Sequence, residues 1–475
     1  MLLGVLLTAT ATAAVALPSS FPTGTTYYDP ERAYNGFVLF PGGDGKTHLI
    51  DMNGNEVHRW DYESFPPVAL SADQTNGEKG HLLVQLARAK ELPEHASPGN
   101  GLTNASVAEV DWDGKVQWQW GSQQNPVYQH HDMRRLPNGN NLVMTAEMRE
   151  LNGFDYPIIE NGIEEVDDDG RVVWEWKAGD HLDEMGFSDA GLRSLKDSED
   201  PDFLHLNTAV PVGPNHWYDA GDERFAPDNI LVNSRNANVT FIVDRQSDEI
   251  VWRIGPDLPA LQLNGKLGRP VDQTVGSHDV HLIPEGLPGA GNMLIFDNQG
   301  NAGFPPARQG FFSSSRVIEV DPSSGKIVWQ YTGNMSGGSP YTFYSSFISS
   351  ARRLPNGNTL IDEGQNGRLF QVTPEGEIVW EYVSPFFGKS MPSDDYVTNQ
   401  VYRAQLVDYD WATDGTPHEE TAVKADCSLY PAAPGCHPGE SDDPSHGGVA
   451  RSAGVAASRR MPAGCRLRGV CVDCQ

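Results

Sequence analysis

Stretches of alternating apolar and polar residues recur along the chain, and each runs through an acidic turn into a segment that carries aromatic residues. The segments GIEEVDDDGRVVWEW and SRVIEVDPSSGKIVWQY follow this scheme, as do four others. Alternation with a period of two is typical of β-strands, and an Asp- and Gly-containing turn joins two strands into a hairpin. Six such hairpins are centred on the turn residues Gly54, Gly114, Gly170, Asp248, Gly325 and Gly376.

The hairpins are copies of one repeating unit. The fourth position after the turn holds an aromatic ring in every copy, namely His58, Trp118, Trp174, Trp252, Trp329 and Trp380. The chain between copies is long enough for two further strands in each unit. The sequence therefore predicts an all-β fold, a six-bladed β-propeller with four antiparallel strands per blade over residues 30–390. In this fold the aromatic rows are expected to pack between neighbouring blades.

The charge of the chain restricts its partners. The 475 residues include 34 Lys and Arg against 64 Asp and Glu, which gives a formal net charge of −30. Because phosphate groups are bound by clustered cations, this excess argues against nucleic acid or an anionic membrane surface as the main partner. We expect small-molecule partners and a monomeric protein.

The N-terminal segment predicts export. Residues 1–16 are apolar and end in the small residues at 14–16, a pattern typical of a secretory signal peptide. A signal anchor retained in the membrane is the alternative. After cleavage of the signal, no later segment is long and apolar enough to be expected in a membrane. The predicted localisation is secreted or extracytoplasmic.

Two further features fit an extracellular protein. Three Asn-x-Ser/Thr triplets are candidate glycosylation sites, at Asn104, Asn238 and Asn334. A tail at 418–475, rich in Pro, Gly, Ser and Ala, is expected to be weakly ordered. All five cysteines lie in this tail, where one or two disulfides are expected: Cys427, Cys436, Cys465, Cys471 and Cys474.

Candidate chemistry emerges when the units are aligned on the proline that ends the inner strand. Six residues before Pro137, Pro211, Pro284 and Pro355 stand His131, His205, His278 and Ser349. Ring symmetry would bring these side chains together near the axis. Asp132 and Asp279 each follow one of the histidines and are expected to support an imidazole. The polar or aromatic companions near the same end are Asn207, Arg235, Arg316 and Tyr344.

These residue types suit the transfer of a sulfate or phosphate ester. Arginine binds tetrahedral oxyanions through its planar fork, and a neutral imidazole can attack the central atom and hold the transferred group covalently. Alternatively, three histidines can bind a metal ion with an open fourth position. The spacing of the histidines does not distinguish covalent transfer from metal binding. We predict no cofactor and assign no metal site.

Several segments resemble the arylsulfotransferases that use a phenolic sulfate ester as donor. The resemblance covers about residues 30–390 and rests on HHDMRRLPNGNNLV, DFLHLNTAVPV, GSHDVHLIP and, above all, SSARRLPNGNTLIDEGQNGRLFQVTPEGEIVWEYVSPF. It implies a secreted or periplasmic propeller that passes a sulfuryl group to a phenol through a histidine adduct. His278 is the preferred nucleophile, His205 and His131 are expected to bind the oxyanion, and Arg235 or Arg316 to neutralise it.

One departure from the family keeps other functions open. The family's nucleophilic histidine lies late in the chain, whereas no histidine occurs here between His281 and His418. Either another histidine of the trio is the nucleophile, or transfer activity has been lost. One alternative is a non-catalytic extracellular propeller that binds an anion or glycan. The other is a quinoprotein-like oxidoreductase, because the hairpin DPSSGKIVW resembles a quinoprotein blade signature.

Overall fold

A computed structural model describes residues 21–88, 103–256, 271, 273–307, 314–389, 396–425, 427 and 434–436. The predicted signal peptide at 1–16 and most of the predicted tail at 418–475 lie outside these ranges. Within them, no helix is both long enough and apolar enough to cross a membrane.

The described residues form antiparallel strands with few helices. The strands of the first half are β1 (Gly24–Tyr28), β2 (Phe37–Pro41), β3 (Thr47–Ile50), β4 (Glu56–Trp60), β5 (Val68–Ala69), β6 (Leu82–Arg88), β7 (Asn104–Val110), β8 (Val116–Gly121), β9 (Gln129–Arg135), β10 (Asn141–Arg149), β11 (Ile158–Val166) and β12 (Val172–Lys177). Those of the second half are β13 (Leu206–Pro211), β14 (Ile230–Ser234), β15 (Val239–Val243), β16 (Ile250–Ile254), β17 (His278–Leu282), β18 (Met293–Asp297), β19 (Arg316–Asp321), β20 (Lys326–Tyr331), β21 (Ser350–Arg353), β22 (Thr359–Glu363), β23 (Arg368–Val372), β24 (Ile378–Val383) and β25 (Gln405–Val407).

In the part of the chain that the structure describes, helical structure is confined to short connections. The α-helices are α1 (Asp189–Asp197) and α2 (His216–Asp219). Single 3₁₀ turns span Ala72–Gln74, Ala178–His181, Glu223–Phe225, Gly333–Ser336, Pro340–Thr342, Gly364–Asn366 and Tyr409–Trp411. Function therefore depends on what the strands and their connections place together.

The strands make a propeller-like set of sheets, although not six separate ones. Three sheets have four strands, in the orders β25-β2-β3-β4, β13-β14-β15-β16 and β17-β18-β19-β20, and one has five, β1-β24-β23-β22-β21. A fifth sheet has eight strands, because β7 pairs with β9 through Asn104 and Gln129 and so joins β5–β8 to β9–β12. The predicted all-β class is confirmed, while the count of six blades stays a prediction.

The hairpin turns form as the sequence indicates. Asp51 Oδ1 accepts the backbone N–H groups of Asn53 and Asn55 at 3.0 and 2.9 Å, which closes the turn. Gly54 then adopts a φ of 82°, a conformation that costs glycine nothing. Asp167 makes the same pair of bonds in a later hairpin. The acidic residue and the glycine thus shape the turn in these two copies.

Tryptophans join successive hairpins in a closed cycle. Each indole Nε1 donates to a carbonyl oxygen of the next hairpin turn, over 2.7 to 3.2 Å: Trp60 to Asp111, Trp118 to Asp168, Trp176 to Asp248, Trp252 to Pro322, Trp329 to Pro374 and Trp380 to Met52. The last bond connects the sixth hairpin to the first. The tryptophans therefore serve as contacts between neighbouring hairpins.

The two ends of the described chain complete sheets begun elsewhere, outside the predicted limits of 30–390. β1 pairs with β24 of the last sheet, and β25 pairs with β2 of the first. Further on, Val423 bridges to Tyr28, and a disulfide joins Cys427 to Cys436. The start of the predicted tail thus packs on the sheets.

The candidate glycosylation sites differ in exposure. Asn104 and Asn238 are 6 % and 4 % exposed, so neither side chain is accessible to a glycan-transferring enzyme in the folded protein. Asn334 lies exposed in a 3₁₀ turn. Of the three triplets, only this one fits the expectation.

Candidate active site

Three histidines from successive inner strands lie in one cluster. The ring centroids of His131 and His205 are 4.8 Å apart. Tyr402 completes the group, with its ring 5.7 Å from that of His131 and 6.5 Å from that of His278. His131 and His278 are buried, whereas 16 % of the His205 side chain is exposed. The structure thus brings together the three imidazoles aligned from the sequence.

The backbone at these positions is strained in a repeated way. His131 and His205 have φ values of 54° and 45°, Asp279 after His278 has 54°, and Ser349 has 90°. The inner strands lose register with their neighbours near these residues. Positive φ is unfavourable for residues other than glycine and persists only where surrounding structure holds it. The bulges direct the imidazoles toward one another.

His205 forms a dyad with Asp202. Its Nδ1 lies 2.5 Å from Asp202 Oδ2 in the segment DFLHLN, just before β13. The carboxylate holds the proton on Nδ1, which leaves the lone pair on Nε2. Among the described residues, Nε2 has no hydrogen-bond partner. His205 therefore combines a carboxylate-held Nδ1 with a free Nε2, on a side chain that is 16 % exposed.

Both ring nitrogens of His278 are engaged by the protein. Nδ1 lies 2.8 Å from Asn298 Oδ1, and Nε2 accepts the backbone N–H of Ile348 at 3.2 Å. Burial, followed by the positive charge of Arg235, holds the pKa of His278 well below its usual value, so the ring is neutral. The Nε2 lone pair of His278 thus already accepts a hydrogen bond from the protein, while the role of His278 as the nucleophile stays a prediction.

His131 is neutral as well. Its Nδ1 lies 2.7 Å from Nδ1 of His130, so one ring must donate and the other accept. Burial lowers the pKa of His130 to about 4 and holds that of His131 well below its usual value. The pair is a neutral wall of the cluster with no charge of its own.

Arg235 supplies positive charge at the cluster. Its backbone N–H donates to the carbonyl of His205 at 3.1 Å. The guanidinium donates to Asn236 Oδ1 at 2.7 Å and to the carbonyl of Ser346 at 3.4 Å, and within the described ranges no carboxylate lies within 4.0 Å of it. The Asp202 carboxylate interacts electrostatically with Arg235, and the Tyr344 hydroxyl does so to a lesser extent. This charge is available to an anion.

Comparison with known proteins assigns the chain. Residues 104–403, more than half of the sequence, match the family described as Arylsulfotransferase (ASST). The chain belongs to the arylsulfotransferase family. Membership supports an aryl sulfotransferase activity in general, with small-molecule aryl sulfates and phenols as the substrates that the family implies. No curated protein matches the chain.

Solved structures similar to this arylsulfotransferase-family chain are distant from it in sequence. A protein of unknown function from Bacteroides caccae is 14 % identical, covers 78 % of this chain and 98 % of its own, and has a TM-score of 0.45. A periplasmic gluconolactonase from Pseudomonas aeruginosa is 10 % identical, with coverage of 74 % and 97 % and a TM-score of 0.38. The Cps50 (Swd1) β-propeller domain from Myceliophteria thermophila is 13 % identical, with coverage of 77 % and 92 % and a TM-score of 0.37.

Three residues predicted to bind substrate have protein partners in this arylsulfotransferase-family chain. Arg316 Nε lies 2.7 Å from the buried carboxylate of Asp297. Asn207 donates to the carbonyl of Ser277 at 2.8 Å, and the Ser349 hydroxyl accepts the N–H of Gly364 at 3.0 Å. Asn207 and Ser349 are fully buried. These contacts suit positioning of the inner strands better than substrate binding.

Asp132 and Asp279 contact arginines, not the imidazoles they were expected to support. Arg403 Nη1 lies 3.1 Å from Asp132, and its Nε lies 3.4 Å from Asp279. Arg134 and Arg352 pair with the same two carboxylates at 2.9 and 2.5 Å. As immediate neighbours of the histidines on a strand, the aspartates project to the other face. Their role is to anchor the inner strands beneath the cluster.

Sequence reasoning missed residues at the cluster. Tyr402 and Arg403 follow the predicted propeller and belong to no repeat. Asp202 stands in the DFLHLN segment that carries the family resemblance, so its spacing to His205 was visible. In the part of the chain that the structure describes, no group of three or more His, Cys, Asp or Glu side chains is arranged to hold a metal ion.

Proposed function

We propose that this protein transfers a sulfuryl group from a phenolic sulfate ester to a phenol, with His205 as the nucleophile. The observation that carries the proposal is the Asp202–His205 dyad, whose Nε2 has no hydrogen-bond partner among the described residues. The backbone N–H of Arg235 donates to the His205 carbonyl, so the two residues are neighbours. The family match supports the general activity, and the dyad supports the choice of histidine. His278 is the alternative nucleophile.

The transfer takes place in two displacements. Nε2 of His205 attacks the sulfur, the N–S bond forms, and the S–O bond to the aryl group breaks with its electron pair leaving on the phenolate. The Nδ1 proton stays on the ring, held there by the Asp202 carboxylate. The negative charge of that carboxylate balances the positive charge of the sulfonated ring. An acceptor phenolate then attacks the sulfur, and the N–S bond breaks with its pair returning to Nε2. The acceptor phenol gives its proton to water before it attacks. The phenolate that left in the first displacement takes up a proton from water.

The surrounding groups match the charge that develops. Among the described residues Arg235 forms no ion pair within 4.0 Å, although the Asp202 carboxylate acts on it electrostatically, so its guanidinium is able to stabilise the sulfuryl oxygens and the leaving phenolate. His131 and His278 are neutral and buried, so they bind without adding charge to the site. Tyr344 beside Arg235 is in position to contact the aryl ring. Arg316 contributes less, because Asp297 already neutralises it.

Mass spectrometry of the intact chain tests the mechanism. After mixing with 4-nitrophenyl sulfate without an acceptor, we expect a burst of nitrophenol and an acid-labile mass increase of one SO₃ group. His205→Ala is expected to abolish both, while His278→Ala leaves the adduct detectable. His216→Ala, an exposed histidine on α2, is the matched control and retains full activity.

Other outcomes would change the proposal. An adduct that survives His205→Ala but is lost in His278→Ala would reassign the nucleophile to His278. Binding of the ester without phenol release or adduct, in a folded protein, would favour the non-catalytic binding propeller. The near-complete burial of His131 and His278 is the observation that makes this second function worth testing.

We further propose a six-bladed, secreted, monomeric protein. The cycle of six indole hydrogen bonds supports six blades, with the eight-stranded sheet counted as two. The apolar segment at 1–16 and the disulfide between Cys427 and Cys436 support an oxidising, extracytoplasmic location. N-terminal sequencing of the exported protein would identify the cleavage site, and sedimentation analysis would give the oligomeric state.

A further inference from the structure

A cavity lies beyond the C-terminal ends of inner strands, away from the histidine cluster. Its volume is about 650 Å³, within the roughly 300–1,000 Å³ of small-molecule sites. None of His131, His205 and His278 lines it. The wall is largely apolar and includes Leu70, Leu354, Leu406, Val407 and Trp411. This combination of size and apolar lining suits a small organic ligand.

Two arginines from equivalent repeat positions line the cavity. Arg134 and Arg352 each begin the sequence Arg-Arg-Leu-Pro-Asn-Gly-Asn, three residues after His131 and Ser349 respectively. A strand rises about 3.3 Å per residue, so each arginine lies roughly 10 Å along its strand from the position of His131 or Ser349. The repeat therefore presents two guanidinium groups to one space.

Each of these guanidinium groups is only partly used by the protein. Arg134 engages Asp132 and the carbonyl of Met133 through Nη1 alone, and Arg352 engages Asp279 through Nη2. Among the described residues, the remaining nitrogens of both have no partner. The side chains are 16 % and 27 % exposed. Unused donors thus face the cavity from a largely buried position.

The local charges leave an excess of positive charge. Arg134, Arg352 and Arg403 share the two carboxylates of Asp132 and Asp279. The nearby Asp362 contributes less negative charge than an ordinary carboxylate, because burial raises its pKa well above the usual value. The wall of the cavity itself has four cationic side chains, Lys79, Arg134, Arg352 and Arg353, against the two carboxylates of Asp408 and Asp410, so one more negative charge would be stabilised here.

We infer that this cavity is a binding site for a monoanionic organic molecule whose carboxylate or sulfate bridges Arg134 and Arg352. The apolar body of the ligand would lie against Trp411 and the leucines. Asp408 and Asp410 also line the cavity and would repel a second negative charge, which favours a monoanion over a polyanion. The site is separate from the histidine cluster and does not depend on the proposed transfer reaction.

Calorimetric titration of the whole protein with 2-naphthoate tests the site. Loss of a charge-assisted hydrogen bond predicts that Arg352→Gln weakens binding about tenfold or more. Ala72→Trp is expected to abolish binding by filling the cavity from an exposed position, which keeps the test valid if the arginine variant does not fold. Arg171→Gln, an exposed arginine on a hairpin turn, is the matched control and should bind as the wild type does.

Two further measurements complete the test. The neutral 2-naphthamide shows whether binding needs a negative charge, and the variant His205→Ala shows whether the anion binds at the histidine cluster instead. We expect the amide to bind much more weakly than the naphthoate, and the naphthoate to bind His205→Ala as it binds the wild type. Equal binding of amide and naphthoate, or no naphthoate binding, would overturn the inference. Loss of binding in His205→Ala with retention in Ala72→Trp would also overturn it, since the anion would then occupy the histidine cluster.

Discussion

Asp362 shows how a single buried carboxyl group can depart from ordinary behaviour. It lies in β22 with no exposed surface, and neither carboxyl oxygen has a hydrogen-bond partner in the described chain. Burial raises its pKa well above 3.8, and the neighbouring charge of Asp279 raises it further. The native protein therefore holds a proton on Asp362 at a pH where the unfolded chain would release it.

Replacing Asp362 by Asn tests this proton. A raised native pKa contributes stability that is fully present below pH 3.8 and is lost as pH rises toward the native pKa. Asp362→Asn removes this dependence, so it should be more stable than the wild type at pH 8, with the difference shrinking toward pH 4. Denaturant titrations at both pH values measure it. A difference that is constant with pH, or a wild type favoured at pH 8, would contradict protonation.

At the scale of single elements, the hairpins differ in how deeply their indoles are buried. Trp380 of β24 is fully buried and donates to the carbonyl of Met52 at 2.7 Å. Trp329 of β20 makes an equivalent bond to Pro374 at 2.7 Å, but its ring is only partly buried and this bond is exposed to solvent. Water can replace a lost partner only at the second site. The indole hydrogen bond at the same repeat position therefore contributes different amounts to the free energy of unfolding in different hairpins.

Paired substitutions separate the two cases. Trp380→Phe removes ring volume and leaves the Met52 carbonyl with a much poorer partner, so we expect a loss of about 2 to 3 kcal/mol in unfolding free energy. Trp329→Phe serves as the control, with an expected loss of about 1 kcal/mol or less. Chemical denaturation of both variants measures the difference. Equal losses would show that the two contacts contribute alike.

At the scale of the whole molecule, Arg403 connects inner strands from different sheets. Its guanidinium reaches Asp132 in β9 and Asp279 in β17, and donates to the carbonyl of Asn207 in β13 at 2.7 Å. Only 2 % of its side chain is exposed. A buried cation with two carboxylate partners is costly to remove, because the partners remain buried without it.

Substitution of Arg403 should affect the entire fold. Arg403→Met leaves Asp132 and Asp279 with reduced compensation, and we expect a loss of about 3 to 5 kcal/mol in unfolding free energy. Arg403→Lys keeps the charge and is the matched control, with a smaller loss. Circular dichroism during denaturation measures both variants. A methionine variant as stable as the wild type would show that the ion pairs contribute nothing net.

The features that recur in every repeat could be predicted from the sequence. The contacts that form between distant segments when the sheets come together could not. The Asp and Gly turn residues, the indole contacts and the convergence of His131, His205 and His278 all follow from periodicity. Tyr402 reaches the cluster because the chain returns to supply β25, and no local pattern around it indicates this. No sequence pattern indicated that Nε2 of His278 accepts the N–H of Ile348, because Ile348 belongs to a distant segment of the chain. Which of His278 and His205 is the nucleophile stays a prediction.

The pairing of β25 with β2 has a consequence for synthesis. The apolar Phe37–Pro41 strand leaves the ribosome early, whereas its neighbour at Gln405–Val407 emerges only after nearly all the other strands. Until then one border of the nascent sheet has unsatisfied backbone groups and can recruit a strand from another molecule. Production of this protein should therefore benefit from a holding chaperone, and interrupted translation should yield aggregates in place of a smaller stable domain.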